Sequence, residues 1–416
     1  MIRHLFKLIW NRKRANALVI SEIFVCFLVL FAVLTQILYN VSNYRKPLGF
    51  AYANVSGLNL RLQDNEGGRQ TSLTGSAAMS EPVAENPYQD RQRALLQVVK
   101  ADPAVEDAAW AAPLPMSHSN ETRSLMFRKH RVRYSMARCT DEYKDVMGIE
   151  ITRGRWFSPE DDGGGYEAMV ITEALARLAF GDEDPVGKSF TADRSESGEP
   201  LPEKRVVGVM GAFRQEGEMD AQDVYALSRL EYSGRPMSSI DGMALRLKPG
   251  SDASVEARIT ASLLAAAPDF SFRMEPLEAA AEFNRRAFMA PIALFGVVAL
   301  FLTFMVALGL SGVLWQSVTS RIREIGVRRA MGASAQDVRW QVIGELLVMS
   351  TIAILAGVVV VLQFPFLDLL GAMSRGVFVA GLSLTIVSLY GLALVCALHP
   401  ARLATTVHPA EALRYE

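Results

Sequence analysis

Cysteine and histidine are scarce in this chain of 416 residues, which has only three cysteines and five histidines. Cys26 and Cys396 lie in apolar runs and Cys139 lies in the polar middle of the chain, so they do not form a disulfide framework. The paired spacing of a zinc site is missing as well. We interpret the three cysteines as small apolar residues of the interior.

Catalytic motifs are missing too. The sequence has no H-E-x-x-H or G-x-S-x-G motif, and the neighbours Ser117 and His118 do not by themselves supply triad geometry. The nearest match to a phosphate-binding loop is GDEDPVGKS at 181–189, which has five residues before its Gly-Lys pair where the loop requires four. Its run of three acidic residues would also repel a triphosphate. We expect no catalytic residue, no metal site and no cofactor, including ATP, in this chain.

The net charge of -1 points to neither an acidic nor a basic partner, but the apolar residues are concentrated in four runs. About 20 apolar residues span the ~30 Å hydrocarbon core of a bilayer. We predict transmembrane helices at 15–41, 286–318, 341–364 and 377–398, the third ending at Pro365 and the fourth at Pro400. A cleaved signal peptide is the alternative for the first run, although an apolar region of about 7–15 residues is usual there.

Basic residues indicate the orientation of these helices, because cytoplasmic loops are rich in lysine and arginine. Two short segments are strongly basic, 1–14 and 319–340, whereas the loop 365–376 has only Arg375. Both termini are therefore predicted to be cytoplasmic, with the tail at 399–416, and the domain 42–285 to lie outside. Segment 1–14 is also amphipathic, which fits either a helix lying in the membrane interface or a simple basic flank.

The middle of the chain alternates strand and helix patterns. We predict strands at 131–139, 204–213, 242–250 and 270–277, helices at 141–150 and 252–268, and a strand that passes into a helix at 168–181. The fold class expected is therefore an α-helical membrane protein with four transmembrane helices in a 1+3 arrangement and an inserted α+β extracytoplasmic domain, with ferredoxin-like βαβ units considered. Helix formers at 276–288 predict a helix that continues unbroken into the second crossing.

The segment 319–340 carries the richest local pattern. Arginines alternate with Ile322, Ile325, Val327 and Met331 in a short helical pattern that Gly332 can end. Ser334 with Asp337 three residues later predicts the start of a second helix, which runs into the third crossing. Two interpretations are open: a basic helix that rests on lipid headgroups, or a docking element whose arginines bind carboxylates and whose apolar face enters a groove on a soluble partner.

REIGVRRAMGAS at 323–334 resembles the cytoplasmic coupling segment of the MacB/FtsX-like ABC transporter permeases. The tail HPARLATTVHPAEALRYE at 399–416 is similar to that family's C-terminal pattern, and 154–161, 171–190 and 204–213 resemble its MacB-type periplasmic core domain. Residues 42–130 show no such resemblance. The resemblance implies that the coupling segment contacts an ATPase subunit through these residues: Arg323, Glu324, Ile325, Gly326, Arg328, Arg329, Gly332 and Ala333.

The resemblance further implies a permease subunit of the inner membrane that exports a drug, an antimicrobial peptide or a similar amphipathic substrate. Its partners would be two copies of an ABC ATPase that holds ATP and Mg, a second permease copy or a related permease, membrane lipid, and a periplasmic adaptor with an outer-membrane duct. Nucleic acid is not among them. Lipoprotein extraction, activation of a cell-wall hydrolase, and a membrane sensor or scaffold without ATP turnover are the alternatives.

Overall fold

A computed structural model of the chain describes residues 13–62, 87–117, 119–128, 130–163, 165–190, 203–221, 223–230, 242–319, 327, 331, 334–366 and 373–406. The chain forms two compact units. One comprises Met1–Ser42 and Phe288–Glu416, and the other Asn43–Ala287. We call them the helical unit and the outer domain and describe each by itself.

The elements follow one another in this order: α1 (Lys13–Tyr44), β1 (Val55–Leu62), α2 (Pro87–Lys100), β2 (Val105–Ala112), β3 (Glu121–Phe127), β4 (His130–Cys139), α3 (Tyr143–Met147), β5 (Ile151–Gly154), a 3-10 helix (Pro159–Gly163), β6 (Glu167–Thr172), α4 (Glu173–Phe180), β7 (Lys204–Met210), β8 (Tyr225–Arg229), β9 (Gly242–Leu247), α5 (Ala253–Ala266), β10 (Phe270–Pro276), α6 (Leu277–Thr319), α7 (Ala335–Val361), α8 (Gln363–Phe366) and α9 (Arg375–Thr406).

Four of these helices, α1, α6, α7 and α9, are long and apolar enough to cross a membrane. Their length follows from runs of apolar residues with few helix breakers. The predicted unbroken passage from 276–288 into the second apolar run is confirmed, since α6 is one helix of 43 residues with Pro291 inside it.

The apolar spans end where predicted, at Pro365 and at Leu398 just before Pro400, but the helical backbone has other ends. The fourth helix does not stop before Pro400 but continues to Thr406, and Pro365 lies inside α8, whereas the third helix already ends at Val361. Proline removes one backbone hydrogen bond and crowds the preceding turn, at a cost of about 3 kcal/mol. That cost bends a helix without having to end it, and the residues after Pro400 are mostly ordinary helix formers such as alanine, leucine and arginine.

The helical unit packs around one face of α1. Val19, Ile23, Phe27 and Phe31 recur every four residues and are buried against side chains of α6, α7 and α9. The ring of Phe31 meets that of Phe378 edge-on, with centroids 5.5 Å apart. Small residues let helices approach closely in a membrane, and glycines of α7 and α9 lie opposite α1 in this way.

The outer domain is built on a sheet whose described strands follow the order β10-β1-β9-β2-β4-β8-β6-β7-β5, with β3 paired to β4. Pairing is parallel between β4 and β8 and between β6 and β7, and antiparallel elsewhere. Helices α2 and α5 pack on one part of the sheet and α4 on another. The prediction of an inserted α+β domain is therefore confirmed.

Most of the strands and helices predicted for the outer domain are confirmed within one to three residues. Gly181, for example, follows α4 with a φ of 66° and closes it. The 3-10 helix lies between β5 and β6. Cys26, Cys139 and Cys396 are buried and free, which confirms their interpretation as interior residues.

Candidate functional site

The candidate site is the segment that joins α6 to α7, and its two flanking helix ends are packed together. Val318, in the last turn of α6, is buried against Val338 and Val342 of α7. The Thr319 hydroxyl donates to the carbonyl of Trp315 at 2.9 Å within the same last turn. The segment therefore begins and ends at two helix ends that are packed against each other.

The start of α7 is capped as the sequence predicts. The Ser334 amide donates to Oδ2 of Asp337 at 3.0 Å, and the Asp337 amide donates to Oγ of Ser334 at 3.1 Å. This reciprocal capping box satisfies amides that the first turn of a helix otherwise leaves without partners. It fixes where the segment ends and the long apolar helix begins.

The eight residues expected to contact an ATPase, Arg323, Glu324, Ile325, Gly326, Arg328, Arg329, Gly332 and Ala333, lie outside the described residues. Two apolar neighbours are described. The Met331 amide donates to the carbonyl of Val327 at 3.0 Å, a helical spacing that places both side chains on one face. Met331 is 78% exposed and Val327 40% exposed. These two described apolar side chains are therefore both exposed.

Two tryptophans that the sequence analysis did not single out flank this segment. Trp315 lies one turn before the end of α6, Trp340 lies in the second turn of α7, and both side chains are more than half exposed. Tryptophan is enriched where transmembrane helices meet the headgroup region. Their positions at the ends of two apolar runs were the signal available in the sequence.

No group of three or more His, Cys, Asp or Glu side chains able to hold a metal ion occurs among the described residues.

In the near-match to a phosphate-binding loop, Lys188 pairs with Glu183 at 2.7 Å, and Arg128 holds the same carboxylate at 2.9 and 3.0 Å. Hydrogen bonds from Arg128 and Lys188 lower the pKa of Glu183 to about 2. His118 lies outside the described residues, and the Ser117 hydroxyl donates to the carbonyl of Leu114 at 2.6 Å.

Comparisons with known proteins agree with the resemblance. The profile of the MacB-like periplasmic core domain matches residues 48–262, and the FtsX-like permease C-terminal profile matches residues 296–404. The first match takes in most of 42–130, where no resemblance was visible in the sequence, so that stretch belongs to the same domain.

Individual relatives agree. "Macrolide export ATP-binding/permease protein MacB 1/2" of Paracoccus denitrificans is 28% identical over 54% of this chain and 33% of its own length. "Uncharacterized ABC transporter permease YvrN" of Bacillus subtilis is 25% identical over 85% of this chain and 83% of its own. The solved structure of the periplasmic region of MacB from Actinobacillus actinomycetemcomitans is 13% identical to this chain. The match covers 53% of this chain and 89% of that structure, with a TM-score of 0.35.

The chain spans less than half the length of the MacB relatives that it matches, and their names join an ATP-binding part to a permease part. The four apolar helices and the periplasmic-type domain are those of an inner-membrane protein. With one profile covering just over half of the chain and the second covering most of its C-terminal part, the chain belongs to the MacB/FtsX-like family of ABC transporter permeases.

Proposed function

We propose that the chain is the permease subunit of a transporter whose ATPase is a separate subunit, and that it converts ATP hydrolysis into work outside the cytoplasm. The observation that carries this proposal is the order of the two family matches, an outer core domain followed by the FtsX-like helices, with the segment 319–340 between the second and third apolar helices. ATP and Mg would be bound by the ATPase and not by this chain.

The proposed topology has four crossings in a 1+3 arrangement, with both termini in the cytoplasm and the outer domain on the opposite side. The basic residues of 1–14 and 319–340 support it. Trp315 and Trp340 fit a membrane boundary on each side of the loop, since tryptophan is enriched at such boundaries, and the residues between them would then lie in the aqueous phase.

In this proposal the segment 319–340 docks on the ATPase. Its exposed apolar pair, Val327 and Met331, fits a groove on a soluble protein, and arginines beside it bind carboxylates at the rim of that groove. The packed ends of α6 and α7 give the segment a firm base through Val318 and Val338. Closure of two ATPase subunits on ATP would then displace the segment together with both helices.

The work that we propose is the export of a drug, an antimicrobial peptide or a similar amphipathic substrate. The name of the Paracoccus relative gives macrolide export for that protein, which supports the first of these. The transporter would contain two ATPase subunits and two permeases, either two copies of this chain or this chain with a related permease. A periplasmic adaptor and an outer-membrane duct would complete the export path.

The docking proposal is tested by affinity purification of the full chain from its own membranes in mild detergent. We expect a P-loop ATPase to co-purify with the wild type and to be lost from the double variant Glu324→Ala/Arg328→Ala. Arg375→Ala, in the predicted outer loop, is the matched control and should retain the ATPase. Recovery of no ATPase with the wild type, or full recovery with the double variant, would refute the docking proposal.

A further inference from the structure

A charged arginine side chain of the outer domain is buried and forms hydrogen bonds to the end of the first long helix. Arg214 is 2% exposed. Its Nη1 donates to the carbonyl of Asn43 at 2.9 Å, in the last turn of α1, and to the carbonyl of Lys46 at 3.2 Å, two residues beyond the helix. The carbonyls in the last turn of a helix lack amide partners within that helix and favour a cation. The guanidinium therefore caps α1.

The other side of the same guanidinium holds the loop in which Arg214 lies, residues 211–221, which we call the junction loop. Nε donates to the carbonyl of Asp220 at 2.8 Å, and Nη2 donates to the carbonyls of Glu218 and Asp220. An arginine has five N–H donors, and these contacts engage all five.

The junction loop also holds the beginning of α6. Nδ2 of Asn284 donates to the carbonyl of Glu216 at 3.2 Å, and Asn284 is 4% exposed. This bond is independent of Arg214. The ends of two long helices, one before the outer domain in the chain and one after it, thus meet the same eleven-residue loop through different contacts.

The covalent connection alone leaves slack between α1 and the domain. After a turn in which the Lys46 amide donates to the carbonyl of Asn43 at 3.0 Å, the backbone is bound to the rest of the domain at Leu48, whose carbonyl accepts from the Arg214 amide at 3.1 Å, and it lies close to the carbonyl of Ala212 at Gly49. Three residues lie between Tyr44 at the end of α1 and Leu48, and an extended chain spans about 3.3–3.6 Å per residue. The bonds from Arg214 to Asn43 and Lys46 remove this slack.

We propose that Arg214 is a positioning residue that passes displacement of α1 to the outer domain, while Asn284 does so separately for α6. This inference rests on the proposed function, since the displacement would come from ATP-driven movement of the helices. Lysine does not replace arginine here, because a single ammonium with three donors does not reach the carbonyls on both sides at once.

The test measures two distances between spin labels in the full complex by pulsed electron–electron double resonance. In a background where Cys26, Cys139 and Cys396 are alanine, spin labels are placed by Met126→Cys in the outer domain together with either Val25→Cys in α1 or Phe301→Cys in α6. All three label positions are exposed. Each pair is measured without nucleotide and with ATP trapped on the ATPase.

In the wild type we expect both distances to change when ATP is trapped. In Arg214→Lys the change in the α1 distance should be lost and the change in the α6 distance kept, an asymmetry that general unfolding would not produce. The matched control is Arg246→Lys, because Arg246 also donates to a backbone carbonyl, but to that of Val146 in the short helix α3. It should behave like the wild type.

If Arg214→Lys does not fold, an insertion of two glycines between Tyr44 and Arg45 moves Asn43 away from the guanidinium without changing any buried side chain, and the same asymmetry is expected. An α1 change that survives in a folded variant would overturn the role of Arg214. A wild-type complex that binds the ATPase but shows no change in either distance would instead count against the proposed function.

Discussion

The ring of Phe27 lies directly on the backbone of Gly357, so that a Cβ atom at this glycine would overlap Cδ1 of the ring. Phe27 is fully buried and stacks on Phe31, so it has no room to move aside. We expect Gly357→Ala to destabilise the helical unit by about 1–3 kcal/mol, the usual cost of overpacking. Unfolding of the purified protein by SDS in mixed micelles measures this.

The control for that variant is Gly391→Ala in α9, where no heavy atom lies within 4 Å of an added Cβ. The control should be as stable as the wild type or slightly more so, since alanine favours helix over glycine by about 1 kcal/mol. Equal stability of the two variants would mean that α1 and α7 do not pack through this contact.

Acid should weaken the outer domain through Asp161, whose side chain is 1% exposed. Burial alone would raise the pKa of this carboxyl, but hydrogen bonds from Arg155, the Ser158 amide and Tyr166, together with the charge of Arg155, outweigh burial and lower the pKa to about 2. The pKa in the folded chain is thus below the ordinary 3.8. The carboxylate therefore stabilises the fold above pH 4, and this contribution is lost as the pH falls towards 2.

The contribution amounts to about 2 kcal/mol. Urea unfolding of the outer domain, followed by the fluorescence of the buried Trp110 at pH 7, 4 and 2, measures it. Asp161→Asn should be less stable than the wild type at pH 7 and should lose less stability between pH 4 and 2. Asp182→Asn, an exposed position on the same domain, should keep the wild-type profile.

The ion pair of Asp141 and Arg229 predicts a strong non-additive effect. Nε and Nη2 of Arg229 meet Oδ1 and Oδ2 of Asp141 at 2.8 and 2.9 Å, and the Arg229 side chain is 6% exposed. Removing one partner leaves a buried charge, so Asp141→Ala should cost about 3–5 kcal/mol. The double variant Asp141→Ala/Arg229→Met should recover most of that loss, as measured by urea unfolding. Additive losses in this cycle would contradict the prediction.

Local sequence signals predicted local structure well. Ser334 and Asp337 predicted the start of α7, and Gly181 predicted the end of α4. Helix caps can be predicted in this way because they are formed by residues only three or four positions apart. Pro400 was expected to end the helical backbone of α9, but the helix continues past it, because a proline lowers the stability of a helix without fixing where the helix ends.

Long-range relationships were beyond the sequence. β1 pairs with β10 and β9, which lie about two hundred residues further along the chain, and such pairing is decided by the face that the strands bury together. The burial of Arg214 could not be predicted from the sequence, because arginine is rarely fully buried. Its acceptors here are backbone carbonyls, which every residue has, so no residue type marks them. The arginines of 323–329 drew attention by their pattern, but a pattern does not identify the protein surface that they meet.

The capping box at the start of α7 should matter for both stability and docking. Ser334→Ala removes the side-chain acceptor of the Asp337 amide and should cost about 1 kcal/mol in the first turn of the helix. Because Val338 in that turn packs on Val318, fraying there should also loosen the base of the segment 319–340. We expect faster hydrogen exchange of the amides at 335–338 and weaker retention of the ATPase in the affinity purification.

Ser388→Ala is the matched control, since Ser388 is exposed on α9 and its hydroxyl donates only to the carbonyl of Leu384 one turn earlier at 2.8 Å. Its exchange and ATPase retention should match the wild type. Faster exchange in Ser334→Ala with full retention of the ATPase would show that the cap serves helix stability alone. In that case the docking surface would have to be held by the residues of 319–333 themselves, and not by the helix after them.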